Sequence, residues 1–317
     1  MCNAHADSDF TAFRDELIEA GLLIPLGVPG LFGRCGTFER VIDLFEGYAT
    51  RAVAPFKPEV VRFPPLFNRT HYERNGHIHN FPDLLGSVHG FMGSERDHMN
   101  LLGTFERGED WSAHLSATNL MLVPAACYPL YPTATGTLPE GGRLVDLKTF
   151  VFRREPSDDP ARLQSFRMRE FVRLGTPDAA LAHRNQWMER GQAMLRALGL
   201  SADTVVANDP FFGRGGKVMK ATQREQNLKY ELVVPIYPSE SPTAVGSCNY
   251  HLDHFGSIYD IKTADGQVAH SACIGFGLER VALALFKKHG LNPDTWPADV
   301  RGLLNAQAAE VELTPAG

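Results

Sequence analysis

Three arginines lie in segments whose composition is typical of phosphate binding. They occur in FRRE, in RMREF across a charged turn, and in GFGLER before an apolar run. The forked guanidinium group binds phosphate or carboxylate oxygens through paired hydrogen bonds. Arg153 and Glu155 are two residues apart in a predicted strand, so they share a face. With Phe171 to stack on a purine, the set Arg153, Arg167 and Arg280 suits a nucleoside triphosphate.

The glycine-rich segment GFGLER is not one of the familiar phosphate loops. The pattern GxxxxGK[ST] is absent, and the dinucleotide fingerprint needs a third glycine where the chain has Glu279-Arg280. Glycines in a strand let its backbone approach a ligand closely. From this segment alone, an ordinary helix start with an exposed arginine is an equally good interpretation.

Composition narrows the class of protein. The chain has 317 residues, 44% of them hydrophobic and 21% charged, which is typical of a soluble globular protein. Its net charge of -6 argues weakly against a main role in gripping long nucleic acid. We find no signal peptide and no run of roughly 18 apolar residues, so we expect a cytoplasmic protein without a membrane span. Five scattered cysteines favour free thiols or a metal site over disulfides.

The elements that position these residues follow from periodicity and turn chemistry. Helices are predicted at 9–20, 37–53, 177–198 and 279–289, and strands at 144–155, 165–175 and 229–237, with part of HFGSIYDIK as a further strand. Strands that return through hairpins, with helices between them, indicate an α+β fold with an antiparallel sheet flanked by helices. No long linker divides the chain, so we expect a single domain over 1–317.

The order of these segments resembles the three motifs of class II aminoacyl-tRNA synthetases. The helix at 37–53 followed by VVRFPPL resembles motif 1, FRRE with RMREF resembles motif 2, and GFGLER resembles motif 3. The resemblance implies a homodimer through motif 1. It also implies that Arg153 binds the α-phosphate and the amino-acid carboxylate, and that Glu155 and Phe171 hold adenine. Arg280 and Arg167 would bind the γ-phosphate end.

The same resemblance implies a full ATP site. Its residues would be Arg153, Glu155, Arg162, Leu163, Arg167, Phe171, Lys229, Ala244, Val245, Gly246, Ser247 and Arg280. The chain reads AVGSCN where seryl enzymes have a stretch like EISSCSN, so Ala244 replaces a glutamate that helps bind the ATP magnesium. Glu231 is a candidate to compensate. Arg162 and Lys229 are candidate extra cations for ATP or for the substrate carboxylate.

One branch of that family, the atypical archaeal-type seryl-tRNA synthetases, binds the substrate amino group through zinc. The resemblance places its ligands at Cys127, Glu170 and Cys273. Two thiolates and a carboxylate are good zinc ligands, and three protein ligands leave a fourth position for substrate. The alternative is that both cysteines are small buried hydrophobic residues. Two histidine groups are weaker metal candidates, with no third ligand evident: His77 with His79, and His251 with Asp253 and His254.

Room for a tRNA-reading domain is lacking in the sequence as given, because residues 1–36 precede motif 1 and 290–317 follow motif 3. A catalytic core of this kind resembles the bacterial amino acid:[carrier protein] ligases. That resemblance implies activation of a small amino acid with ATP and Mg²⁺, glycine first and alanine second. It also implies transfer to the phosphopantetheine thiol of a carrier protein, with no tRNA partner. A tRNA synthetase or an inactive regulatory paralogue remain as alternatives.

Overall fold

A computed structural model describes residues 4–209, 227–237 and 242–306. Their strands are β1 Leu23–Pro25, β2 Phe32–Arg34, β3 Glu59–Val61, β4 Leu66–Asn68, β5 Ser87–Gly90, β6 Ser116–Leu122, β7 Gly136–Thr137, β8 Arg143–Phe152, β9 Ser165–Gly175, β10 Asp203–Val206, β11 Lys229–Val234, β12 Thr243–Tyr250, β13 Ile261–Lys262 and β14 His270–Gly277. Their α-helices are α1 Ala4–Glu19, α2 Gly36–Val53, α3 Arg69–Arg74, α4 His77–Asn80, α5 Glu95–Glu106, α6 Pro177–Ala197, α7 His254–Tyr259, α8 Leu278–His289 and α9 Ala298–Asn305.

A seven-stranded sheet in the order β10-β11-β12-β14-β9-β8-β3 organises the structure. Its neighbours pair antiparallel except for β3 and β8, which are parallel. The hairpin of β8 and β9 carries the predicted motif 2, and β14 runs directly into α8, the predicted motif 3. The expected α+β class, with an antiparallel sheet and flanking helices, is confirmed.

One face of this sheet is closed by the main hydrophobic core. The Phe45 ring of α2 packs edge-on against Phe276 of β14 at a centroid distance of 5.5 Å. Trp187 of α6 packs against Phe171 of β9 at 4.7 Å. The N-terminal residue Phe13 belongs to the same buried cluster. Residues before the predicted motif 1 helix therefore contribute to this core.

The opposite face of the sheet carries the polar residues. Strand register places Glu170, Gly275, Ser247 and Glu231 side by side in one row across four strands. The adjacent row runs from Cys273 through Asn249 to Lys229. Because neighbouring residues along a strand point to opposite faces, Arg167 and Phe171 of β9 belong to the core face. We call the polar side the open face.

Two predicted strands differ from the expectation: one ends earlier, and most of the other is a helix. Strand β8 stops at Phe152, so Arg153 and Glu155 lie in the following turn and no strand pleat sets their common face. Most of HFGSIYDIK forms α7, because Phe255 and Tyr259 are buried four residues apart on one helical face. Only Ile261–Lys262 of that stretch is a strand. Among the described residues, no helix is long and apolar enough to cross a membrane.

Candidate active site

Arg280 joins the start of α8 to the motif 2 turn. Its Nε donates to the Ala161 carbonyl at 2.6 Å, and its Nη1 donates to the Ala244 carbonyl of β12 at 3.0 Å. Burial lowers the pKa of this guanidinium, and the positive charges of Arg153 and Arg162 lower it further. Three cations held this close together attract a polyanion.

Arg153 lies over the open face next to this group. Its Nε donates to the Pro124 carbonyl at 3.1 Å, and its guanidinium carbon lies 5.7 Å from the centroid of the Phe166 ring. Glu155 turns back on it, donating its backbone N–H to the Arg153 carbonyl at 2.7 Å. Arg153 is therefore anchored by a neutral carbonyl, and its charge is available to a ligand.

The structure corrects the role predicted for Phe171. The side chain is fully buried in the main core against Trp187, so it offers no face to an adenine ring. The spacing RxxxF occurs twice in this segment, as Arg162 to Phe166 and as Arg167 to Phe171. Only Phe166 lies on the open face, under Arg153. Strand alternation from Glu170 thus places Phe166, and not Phe171, on the open face.

The structure also corrects the phosphate-binding role of Arg167. Its Nε donates to Glu279 at 2.9 Å, and its Nη2 donates to Glu39 of α2 at 2.9 Å. Burial opposes the charged form, but the hydrogen bond to Glu39 and the attraction of Glu279 raise the pKa of Arg167. Two carboxylates on the core face already neutralise this guanidinium, so it is a structural ion pair.

The remaining residues predicted to bind ATP differ in burial and in the sheet face on which they lie. Leu163 is buried beside Phe166, and Arg162 is exposed, 4.0 Å from the Asp159 carboxylate. Val245 is buried in the main core, and a Cβ at Gly246 would lie 3.3 Å from the Phe276 ring, so neither presents a side chain to the open face.

Lys229 and Ser247 both lie on the open face. Ser247 lies opposite Glu231 and Gly275. The Nζ of Lys229 is paired with Asp209 at 2.6 Å and lies 3.4 Å from Glu231. A ligand that uses this ammonium group has to compete with both carboxylates.

Cys127, Glu170 and Cys273 are brought together in a buried cluster behind the arginines. Cys127 lies close enough to Cys273 and Glu170 for both groups to raise the pKa of its thiol. Glu170 Oε1 accepts the backbone N–H groups of Ala126 at 2.8 Å and of Cys127 at 3.3 Å. Its Oε2 is buried without a partner in the described part of the chain. A buried carboxylate oxygen of this kind can ligate an ion or accept a hydrogen bond from a ligand.

The acid–base properties of the cluster follow from burial and mutual contact. Burial raises the pKa of Glu170 to about 8, and the charge of Cys273 adds to this. The hydrogen bond with Cys273, together with burial, raises the pKa of Cys127 well above its usual range. Cys273 has a strongly lowered pKa because Cys127, and then His251 and Asn249, stabilise its thiolate.

Two curated bacterial proteins are similar to the chain over most of its length. Both come from Bradyrhizobium diazoefficiens and are named amino acid--[acyl-carrier-protein] ligase 1 and 2. The first is 43% identical over 284 residues, 89% of this chain and 87% of the relative. The second is 46% identical over 292 residues, 92% of this chain and 87% of the relative. The chain belongs to the amino acid–[acyl-carrier-protein] ligase family. It is therefore an enzyme of the ligase class. No model of a protein family matches the sequence.

The chain shares its fold with seryl-tRNA synthetases. A type-2 serine--tRNA ligase of Methanopyrus kandleri is 26% identical over 194 residues, 57% of this chain and 37% of that protein. A crystal structure of M. kandleri SerRS with A. aeolicus tRNASec superposes with a TM-score of 0.79 at 20% identity. The superposition covers 95% of this chain and 62% of that one. The Pyrococcus horikoshii enzyme complexed with ATP gives 0.68 at 13% identity, covering 93% and 63%.

The cysteine–glutamate cluster of this ligase fits zinc by its donor types. Two thiols and a carboxylate with an unused oxygen are the donors that zinc prefers. Nevertheless, no group of three or more His, Cys, Asp or Glu in the described ranges is arranged as a metal centre. The pKa values of Cys127 and Glu170 are raised, so a metal that binds here has to displace their protons. The zinc assignment is therefore a proposal.

His251 is a residue of this site that sequence reasoning placed elsewhere. Its Nε2 lies 3.7 Å from Cys273 Sγ, and Asn249 Nδ2 donates to the same sulfur at 3.5 Å. The pairing of β12 with β14 sets Asn249 opposite Cys273 and brings His251, one residue past β12, alongside. Of the other histidine candidates, His77 bonds Tyr128 OH at 3.3 Å, and His79 and His254 are exposed.

Proposed function

We propose that the chain activates a small amino acid with ATP and transfers it to the phosphopantetheine thiol of a carrier protein. The chain is 43 to 46% identical, over about nine tenths of its length, to relatives named amino acid--[acyl-carrier-protein] ligase, and this similarity is the main support for the proposal. The grouping of Arg153, Phe166 and Arg280 on the open face supports it. The carrier protein and the amino acid are the partners this implies.

In the first step the amino-acid carboxylate attacks the α-phosphorus of ATP. A carboxylate–phosphorus bond forms as the bond to the β-phosphate oxygen breaks, and pyrophosphate leaves with its electron pair. Side chains supply position and charge rather than covalent chemistry. Arg153 neutralises the charge developing at the α-phosphate, Phe166 supports the adenine ring, and Arg280 binds the departing pyrophosphate.

The cysteine–glutamate cluster forms the amino-acid end of this site. Cys127, Glu170 and Cys273 would hold zinc, which supplies a binding position for the substrate α-amino group. The backbone N–H groups of Ala126 and Cys127 orient Glu170 for this role. Mg²⁺ accompanies ATP, and Glu231, in the same row as Ser247, is our candidate for assisting it, since Ala244 has no carboxylate.

In the second step a thiol attacks the carbonyl carbon of the adenylate. A carbon–sulfur bond forms, the mixed-anhydride bond breaks, and AMP leaves. The thiol proton passes to the departing phosphate or to water. The nucleophile belongs to the carrier's pantetheine arm.

The substrate should be glycine first and alanine second. A pocket closed around a small side chain excludes larger side chains by steric overlap. A larger pocket discriminates against an amino acid that is smaller by one group by only about 1–3 kcal/mol of binding free energy. ATP–pyrophosphate exchange across the twenty amino acids tests this directly. We expect efficient exchange with glycine, less with alanine and very little with serine. Strong exchange with serine alone would instead favour the seryl-tRNA synthetase alternative that the fold keeps open.

Metal analysis tests the zinc assignment separately from activity. We expect about one zinc per chain, lost in Cys127→Ala, Glu170→Ala and Cys273→Ala. Retention of zinc in both cysteine variants would remove zinc from the proposal and leave the ligase chemistry standing. The absence of exchange with every amino acid would favour the inactive paralogue.

A further inference from the structure

His251 lies next to Cys273 of the cysteine–glutamate cluster. Its backbone N–H donates to the Ser271 carbonyl at 2.9 Å, which fixes it against β14. The side-chain Nδ1 lies 3.0 Å from Ser271 Oγ and 3.4 Å from Tyr131 OH. The Phe255 ring packs edge-on against the imidazole at a centroid distance of 5.2 Å. The ring is thus fixed in orientation, with Nε2 facing Cys273.

The tautomer of His251 determines whether Nε2 donates or accepts a hydrogen bond. Ser271 is almost fully buried, and the partner of its hydroxyl in the described structure is His251 Nδ1. A serine hydroxyl carries one proton to donate, and a neutral imidazole carries one N–H and one acceptor nitrogen. If Nδ1 accepts from Ser271, both groups are satisfied and Nε2 carries the proton. The reverse tautomer leaves the buried serine proton without an acceptor among the described residues, which is unfavourable.

We propose that His251 is a positioning residue that donates its Nε2–H to Cys273 Sγ and holds this sulfur facing Cys127 and Glu170. Asn249 Nδ2 donates to the same sulfur at 3.5 Å, so Cys273 is oriented by two N–H groups. Partners of this kind fix a metal ligand in place, and their loss typically costs 10- to 100-fold in metal affinity. The inference rests on the zinc site of the proposed function.

Zinc affinity of the purified full-length chain tests this role without an activity assay. We expect His251→Leu to weaken zinc binding about 10- to 100-fold in competition with a chelator. His251→Gln keeps an N–H donor and should stay close to wild type. The matched control is His254→Leu, an exposed histidine three residues away, which should also bind zinc as wild type does. The thiolate-to-cobalt absorption band of the Co²⁺ protein should shift in His251→Leu only.

The proton position is measurable in the same protein. Two-bond nitrogen–proton correlation spectra of ¹⁵N-histidine protein should show His251, assigned through His251→Gln, with its proton on Nε2. Ser271→Ala should shift it toward the other tautomer.

The outcomes separate this inference from the function it rests on. A wild-type protein that binds zinc, with equal affinity in His251→Leu or with the His251 proton on Nδ1, overturns the positioning role alone. A wild-type protein that exchanges pyrophosphate but binds no zinc removes the metal from the proposed function, and this inference with it. Circular dichroism of His251→Leu establishes that the variant is folded, and rescue by His251→Gln excludes a general loss of structure.

Discussion

Arg153, Arg167 and Arg280 differ in what their guanidinium groups already bind. Arg153 and Arg280 donate to neutral backbone carbonyls, whereas Arg167 is neutralised by two carboxylates. A neutral acceptor orients a guanidinium without cancelling its charge, so the first two remain available to phosphate. Residue type alone does not distinguish the three.

Removal of either available arginine should stop adenylate formation while leaving the protein folded. We expect Arg153→Ala and Arg280→Ala each to lower ATP–pyrophosphate exchange about 100-fold or more, because each removes a preorganised cation from the developing charge. Arg154→Ala, an exposed neighbour, is the control and should exchange normally. Normal exchange in a folded Arg280→Ala protein would contradict the role assigned here.

The two RxxxF phenylalanines should have opposite phenotypes. Phe166→Leu removes the ring beneath Arg153, so the KM for ATP should rise. Because Phe166 also packs in a small buried cluster, this variant should lose some stability, but less than Phe171→Ala. Phe171→Ala empties a core position and should cost about 3–5 kcal/mol of unfolding free energy, measured by urea denaturation. The comparison fails if Phe171→Leu raises the KM for ATP while Phe166→Leu leaves it unchanged.

For single residues, the sequence predicted the residue types of the site better than the sheet face on which each side chain lies. Arg153 was identified by motif spacing, and Glu170 and Cys273 by resemblance to the zinc-dependent seryl enzymes. The structure places all three on the open face. Arg167 and Phe171 have the right types, but they sit one position out of phase with Glu170 in the same strand. His251 was missed as a partner of Cys273 because that contact requires knowing that β12 pairs with β14.

Among the elements, α2, β9 and α8 are tied together by charges as well as by apolar packing. Glu39 of α2 and Glu279 of α8 both pair with Arg167 of β9. Glu279 is fully buried, and Arg34 lies 3.8 Å from it as a second cationic neighbour. The glutamate of GFGLER is thus structural, and it fixes the start of α8 from which Arg280 projects.

The stability of the fold depends on pH through His183 of helix α6. Burial lowers the pKa of His183 to about 4, and its Nε2 bonds the Phe171 carbonyl of β9 at 3.0 Å. In the unfolded chain the pKa is near 6.5, so stability is complete above that value and is lost as pH falls toward 4. The loss should reach about 3 kcal/mol.

Urea denaturation at pH 7 and pH 4 measures this effect. His183→Gln should reduce the difference in unfolding free energy between the two pH values by about 3 kcal/mol. The exposed His79→Gln serves as the control and should behave as the wild type. An equal pH effect in His183→Gln and in wild type would show that His183 is not responsible.

Elements with strong periodicity were predicted almost to the residue. Helices α2, α6 and α8 begin and end within one or two residues of their predicted limits. Stretch 254–262 was harder, because the apolar residues Phe255 and Tyr259 follow a helical period within a segment rich in strand-forming types. The sheet order could not be read from local pattern, since it depends on pairing between distant strands.

For the whole molecule, the edge of the sheet at β3 supports the proposed homodimer. Val60 is 63% exposed on this strand, whose partner in the described chain is β8 alone. Unpaired edges with exposed apolar residues are usual sites of association. We expect the wild type to be a dimer by light scattering at micromolar concentration and Val60→Asp to be a monomer.

A second exposed valine provides the control for that measurement. Val268, 41% exposed and distant in sequence, should tolerate the change to Asp and remain dimeric. A dimeric Val60→Asp protein would move the interface away from β3. A monomeric wild type would remove the homodimer from the proposal.

The most direct test of the proposed ligase activity is to find which acceptor receives the activated amino acid. Radiolabelled glycine, ATP and the purified chain are incubated with a carrier protein in its phosphopantetheine form, with the same carrier lacking that group, and with total tRNA. We expect label on the phosphopantetheine form alone, released by hydroxylamine as expected of a thioester. Label on tRNA, with none on the phosphopantetheine-bearing carrier, would contradict it.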